Sequence, residues 1–299
     1  MAVRPTDLRP GDVVRIVAPS SPFARDRFDA GVALLEAAGL RPRYEQDLFA
    51  ASRFLAGDDA RRHGELARAL ADEEAKAIWI ARGGYGATRL LPQLDVDAVR
   101  RAGKWLVGFS DTTALHALWA RAGVQSVHGA NVTTLADWSA AARSELFAWL
   151  AGEASLRLAG RTLGSSARVR GPLTGGNLTV LAAMAGTSYR APARGCIMLL
   201  EDIGERPYRL DRAITQLRQA GYFDGVAGMV IGQLTDCEER AESNGWSSLD
   251  VVADALVPLA VPVVGGLPVG HENSSRALPF GAMAELDGDA GTLTLPVSA

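Results

Sequence analysis

Short β-branched runs alternate with longer helical patterns through the first half of the chain. That alternation admits few arrangements other than a parallel sheet built from strand-helix-strand units. VVRIVAPSSP opens the series, and Phe28, Val32, Leu34, Leu35 and Ala38 follow at helical spacing as far as Gly39, which suits a left-handed cap. After the short run Arg41 to Tyr44 comes a helix over Asp58 to Leu70, then a strand over Ala77 to Ala81 and the glycine-rich ARGGYG. A second strand, Lys104 to Phe109, delivers the chain into the amphipathic SDTTALHALWA, and Trp138 to Leu150 is helical again. Beyond Ala151 the pattern dissolves into Gly, Ser and Arg, so the sequence predicts a first α/β domain over 1–150 and a linker over 151–170. A second α/β domain is expected over 171–299. There TGGNLTVLAAMAGT reads as a helix with Asn177 near its start, CIMLLED as a buried strand, and YRLDRAITQLRQAG as a helix closed by Gly221. VAGMVIGQL, VPVVGGLPVGH and AMAELDGDAGTLTL supply further strands, the last pair hinged like a hairpin at Asp287 to Gly291.

Composition narrows the class of function. With 299 residues, 48% hydrophobic and a net charge of -3, the chain is neither disordered nor basic enough for a nucleic-acid binder built on phosphate contacts. It is long enough to bury a sizeable core without a disulfide or metal staple. Cys196 and Cys237 lack C-x-x-C spacing and read as buried small hydrophobes in a reducing compartment. Met1 to Pro10 has no apolar signal-like core, and the run Val13 to Ala18 is short and contains Arg15, so secretion is not expected. The apolar stretch Val251 to Val269 is broken by Asp254, prolines and glycines, so no membrane segment is expected and the expected location is cytoplasmic. Scattered histidines and the absence of H-E-x-x-H predict no catalytic metal, and no cofactor is expected.

Ser110 ends a strand and begins a helix. A carbonyl placed at that turn would set its developing negative charge against the Asp111 N-H and the positive end of the helix dipole, as at a nucleophile elbow. Plain helix capping also explains a serine there, and GFSDT lacks the last glycine of G-x-S-x-G. Among the bases, His63 lies in the surface pattern ARRHGE, His116 is on another face of the helix that Ser110 starts, and His128 is a strand-end residue. His271 in LPVGHENSS follows a strand, a proline and a glycine, the setting of a functional loop, although an exposed loop histidine would look the same. Glu201 closes the buried run CIMLL, where a fixed carboxylate could orient an imidazole or form an ordinary ion pair, while Asp202 and Glu205 face Arg206, Arg209 or Arg212. ARGGYGATRLLP could donate a second oxyanion amide, or it could be only a tight turn, since it matches neither a Walker motif nor G-x-G-x-x-G. GPLTGGN is a weaker anion-binding candidate of the same kind.

Taken in order, VAPSSP, ARGGYGATRLLP, GFSDTTALH, HGAN, GPLTGGNLTVLAAMAGT, LLEDIGERPYRLDRAITQL, GMVIGQ and GLPVGHENSSRALPFG resemble the LD-carboxypeptidase family of serine peptidases nearly end to end. The resemblance implies two domains. The first is a parallel-sheet Rossmann or flavodoxin-like domain carrying the nucleophile; the second is a smaller α/β domain of the swivelling β/β/α kind carrying the acid and base. It puts the triad on Ser110, Glu201 and His271, with oxyanion amides from Asp111 and from Gly84, and it implies hydrolysis of the bond before the terminal D-alanine of a murein tetrapeptide. Arg82, flanking the glycine loop, is the candidate for gripping the substrate carboxylate. A homodimer is expected by resemblance alone. Ser275 and Arg276 depart from the family's pattern in a way that bears on loop packing and substrate fit. A related branch, the microcin immunity peptidases, cleaves nucleotide conjugates and would need aromatic platforms, for which Trp138 and Trp246 are candidates. A non-catalytic binding protein is the third reading.

Overall fold

The computed structural model describes residues 2–238 and 246–296. Five strands of the first half lie parallel: β1 (Val13–Val17), β2 (Arg41–Arg43), β3 (Ala75–Ile80), β4 (Trp105–Gly108) and β5 (Ser126–His128). Their spatial order is β5-β4-β3-β1-β2. The order reverses between β1 and β3, and in open α/β sheets such a reversal opens a crevice at the carboxyl ends of the strands. The loops leaving β1, β3 and β4 all emerge there.

Period-two alternation decides which helices cover which face. Trp79 and Trp105 are buried with Phe28 and Leu35 of α1 (Arg25–Ala37). Ile78, Ile80 and Leu106 face the other way, onto Leu66 of α2 (Asp59–Ala71), Val99 of α3 (Val96–Ala102) and Leu118 of α4 (Thr113–Ala122). Both faces being covered, these strands read as near-continuous apolar runs. Asp58 caps α2 by accepting from the Arg61 amide, and α5 (Ala140–Leu150) packs Leu146 and Trp149 on the α1 side.

The second sheet is mixed. Its strands are β6 (Leu156–Ala159), β7 (Arg161–Thr162), β8 (Arg168–Asn177), β9 (Ile197–Ile203), β10 (Gly228–Thr235) and β11 (Val263–Gly265), with two more described below. The stretch 151–170, expected as a linker, therefore holds two edge strands and the start of a third. Leu156 and Leu158 are buried while Arg157 and Ala159 are exposed, a four-residue alternation hidden among Gly, Ser and Arg. The segment TGGN is likewise the end of β8 rather than helix; Asn177 caps the short α6 (Leu178–Ala183) through the Val180 amide. α7 (Pro207–Gln219) and α8 (Ser248–Leu256) complete the helices.

A further strand, β12 (Leu278–Phe280), leaves the second sheet altogether and pairs antiparallel with β5, Leu278 opposite His128, at the edge of the first sheet. The chain then returns to add β13 (Met283–Asp287) and β14 (Thr292–Leu295), the expected hairpin, giving the order β6-β14-β13-β8-β9-β10-β11-β7. Two apolar layers run without a break across both sheets: one joins Trp79 and Val107 to Leu199 and Val230, the other joins Ile80 and Leu106 to Leu200 and Ile231.

Candidate active site

Phe109 is extended, and the next residue, Ser110, turns to φ +65° before a short 3-10 turn feeds α4. A serine rarely adopts this left-handed conformation, which costs of the order of 1–3 kcal/mol, and such strain gathers at functional sites. The glycine loop after β3 closes over it. A Cβ on Gly83 would lie 2.8 Å from the Ser110 Cβ and 3.0 Å from its Oγ, so only glycine permits that approach. Gly84, the expected second amide, is exposed at φ +102°, and a Cβ there would fall 2.4 Å from the Ser21 Oγ. The close neighbour of Ser110 is thus Gly83, with Gly84 seated on Ser21. Arg82 is exposed, and its guanidinium donates to the Pro22 carbonyl.

Asp111 does not cap its own helix. Its carboxylate is buried and accepts from the Ser20 hydroxyl at 2.6 Å and the Ala87 amide at 2.8 Å, joining the loops that leave β1 and β3.

Glu201 is the fifth residue of β9 and is fully buried, and its Oε2 accepts from His271 Nδ1 at 2.7 Å. The bond fixes the neutral tautomer with Nε2 free to accept a proton. Burial works against a charged ring at His271, but the adjacent Glu201 carboxylate outweighs it and raises the pKa above its ordinary 6.5. Gln233 at the end of β10 holds the loop that carries His271: its Oε1 accepts from the Glu272 amide at 3.1 Å and the Ser275 hydroxyl at 2.6 Å. Arg276 pairs with Glu145 of α5, its Nε donating at 2.6 Å. The Ser275 and Arg276 departure therefore anchors the histidine loop to β10 and to α5.

The His271 ring lies over Phe109, with centroids 4.7 Å apart, so the base candidate packs on the residue just before Ser110. Among the described residues no hydrogen bond joins Ser110 to His271. The halves are latched beside it, where the Asn177 amide donates to the Thr113 hydroxyl at 2.9 Å. Asp202, expected to face an arginine, instead accepts from Asn177 Nδ2 at 3.0 Å and from the Thr179 amide and hydroxyl at 2.9 and 2.8 Å. Glu205 does reach Arg209, at 3.5 Å.

The other histidines are spoken for or sequestered. His63 meets the Gln93 carbonyl at the surface, His116 bridges Ser126 and the Gly108 carbonyl, and His128 is buried with neither ring nitrogen partnered among the described residues. Trp138 is buried in the core and offers no platform, whereas Trp246 is exposed. Among the described residues, no group of three or more His, Cys, Asp or Glu could hold a metal ion, and no helix is long and apolar enough to cross a membrane.

Sequence models of the LD-carboxypeptidase N-terminal and C-terminal domains match residues 14–129 and 170–286. The chain belongs to the LD-carboxypeptidase family. It is 35% identical to the murein tetrapeptide carboxypeptidase of Pseudomonas aeruginosa, over 92% of this chain and 93% of that one. Among solved LD-carboxypeptidase-like structures, the muramoyltetrapeptide carboxypeptidase of Oxalobacter formigenes superposes with a TM-score of 0.85 at 29% identity, covering 95% of this chain and 97% of that one. The microcin C7 self immunity protein MccF, in complex with glutamyl sulfamoyl guanosine, shares the fold at a TM-score of 0.86 and 21% identity, with 98% of both chains covered. The two-domain α/β architecture is the family's.

Proposed function

We propose that this protein is a serine LD-carboxypeptidase that removes the terminal D-alanine of a murein tetrapeptide by cleaving after the L-centre of meso-diaminopimelate or L-lysine. The observation that carries the reading is the 2.7 Å His271–Glu201 bond beside a strained serine at the mouth of the sheet crevice. The 35% identity to a murein tetrapeptide carboxypeptidase supports the substrate.

In this mechanism His271 Nε2 takes the Ser110 proton, and Ser110 Oγ attacks the carbonyl of the L-residue. The resulting oxyanion is received by the Asp111 amide and an amide of the glycine loop, the Gly84 N-H being the one proposed. Collapse expels D-alanine, protonated by the imidazolium, and water then releases the tripeptide from the acyl-serine by the same route in reverse. Glu201 holds the ring and stabilises its cation. Arg82 grips the substrate's free carboxylate, for which its exposed guanidinium has the right bidentate chemistry. Replacement by Lys raises the KM for tetrapeptide; an unchanged KM removes Arg82 from the site.

The reading carries with it a cytoplasmic peptide-recycling enzyme and a homodimer, and a light-scattering mass of one 31.5 kDa chain overturns the dimer. The decisive experiment is mass spectrometry of L-Ala-γ-D-Glu-meso-diaminopimelate-D-Ala after incubation, in EDTA, with the wild-type protein and with Ser110→Ala. Loss of one D-alanine with wild type alone is expected. Cleavage by both variants refutes the nucleophile. Cleavage by neither, with turnover of an aminoacyl sulfamoyl adenosine, moves the protein to the nucleotide-conjugate branch, and turnover of neither substrate leaves a binding protein.

A further inference from the structure

A carboxylate that follows a helix-starting serine ordinarily caps the helix, yet Asp111 spends its hydrogen bonds elsewhere. With 2% of its surface exposed, it accepts from Ser20 Oγ at 2.6 Å and from the Ala87 amide at 2.8 Å. Burying a carboxylate is costly unless its partners are well placed, and nothing in α4 requires one. The partners are informative, because each belongs to a loop that walls the nucleophile turn. Ser20 sits in VAPSSP, whose next residue is tied to the glycine loop twice: the Ser21 amide donates to the Gly83 carbonyl at 3.2 Å, and the Tyr85 amide donates to Ser21 Oγ at 3.1 Å. The buried Arg62 guanidinium closes the ring, donating to the Pro19 and Gly86 carbonyls. Residues 83–87 are thereby held at both ends, with Gly83 against the Ser110 hydroxyl.

We infer that the Asp111 side chain is a positioning residue: through Ser20 and Ala87 it sets the gap between Ser110 and the glycine loop, and so the relative placement of the two backbone amides that receive the oxyanion. The inference rests on the proposed role of Ser110 as nucleophile. One residue then serves in two ways, its amide touching the developing charge and its carboxylate fixing the loop that supplies the opposing amide. Ser20 is the second member of the device, acting only through that carboxylate.

The test uses two readouts on the intact protein: steady-state cleavage of tetrapeptide, and the second-order rate at which a fluorophosphonate labels Ser110, which needs the same oxyanion amides but no peptide. Ser20→Ala removes one donor, and Asp111→Ala removes the single oxygen, Oδ2, that accepts from both Ser20 and Ala87. Misplacing reacting groups by about an ångström costs up to roughly 100-fold. Each variant is therefore expected to lose roughly 10- to 100-fold in kcat with KM within about twofold, and to slow labelling by a similar factor. The double variant should fall no further than the worse single one, because both cut the same link. Wild-type labelling rates in folded variants, or a raised KM with unchanged kcat, overturn the inference while leaving the nucleophile intact. If Asp111→Ala does not fold, Ser20→Ala decides by the same criteria. Failure of the wild-type protein to be labelled and to cleave overturns the nucleophile assignment and this inference with it.

Discussion

At Ser110 the backbone carries a conformation that a glycine would hold without strain. Ser110→Gly should consequently be more stable than Ser110→Ala, by about 1 kcal/mol, with both inactive; equal urea midpoints would show that the turn stores no strain. The His271–Glu201 pair makes a pH prediction. Because the carboxylate raises the imidazole pKa, and only the neutral ring can accept the serine proton, kcat/KM should fall as pH drops through a midpoint above 6.5. Glu201→Gln should move that midpoint down and lower kcat by about 100-fold or more. A flat profile from pH 5 to 8 would refute the base. As candidates, Ser110 stood out because an apolar run ends at Phe109, Glu201 because it closes the apolar run CIMLL although β9 continues to Ile203, and His271 because a proline and a glycine precede it in the loop after β11. Ser20, Ser21, Gly83 and Gln233 were not, because their significance lies in partners far off in sequence: Ser20 meets Asp111 across 91 positions and Gln233 meets Ser275 across 42. No local pattern announces such pairs.

Elements with their own periodicity were readable, and those whose identity depends on a neighbour were not. α1, α2, α7, β3, β9 and the β13–β14 hairpin follow their spacing, whereas the short β6 and β7 exist only as edges of a sheet that later strands create. β8 is split in the same way, antiparallel to β13 through Pro172 and parallel to β9 from Leu173 on, so half of it looked like the start of a helix. Between elements, His116 ties α4 to β4 and β5, and full burial drops its pKa to about 4. Between pH 6.5 and 4 the unfolded chain binds the proton that the folded chain refuses, so this group's stability is present above 6.5 and lost as pH falls to 4, by roughly 3 kcal/mol. Buried Glu65 works the opposite way: burial raises its pKa to about 7, so its contribution is present below its unfolded 4.5 and lost as pH rises through 7. The two offset each other in the wild type. The readable quantity is the difference in unfolding free energy between wild type and His116→Gln, which should shift against the wild type by roughly 3 kcal/mol from pH 7 to pH 4. A pH-independent difference would mean that the ring titrates normally.

On the scale of the molecule, the two apolar layers cross from sheet to sheet, and the chain itself crosses more than once, since β12 returns to the first sheet before β13 and β14 rejoin the second. Calorimetry should therefore show a single unfolding transition, with a calorimetric to van't Hoff enthalpy ratio near one; two resolved transitions would mean the halves fold separately. The two-domain α/β reading stands, but periodicity says nothing about where a late strand will pair, so the crossing of β12 to the first sheet was not visible in it. That late pairing has a consequence for how the protein is made. Chains emerge from the ribosome N-terminus first, and β5 has no neighbour on its outer side until residues 278–280 have been synthesised. Every nascent or truncated chain that stops short of Phe280 exposes an open strand edge, the kind of surface on which unfinished chains join one another. Such a chain offers chaperones and proteases a surface that the finished fold covers, and the outer edge of the first sheet is closed only once Phe280 has been made.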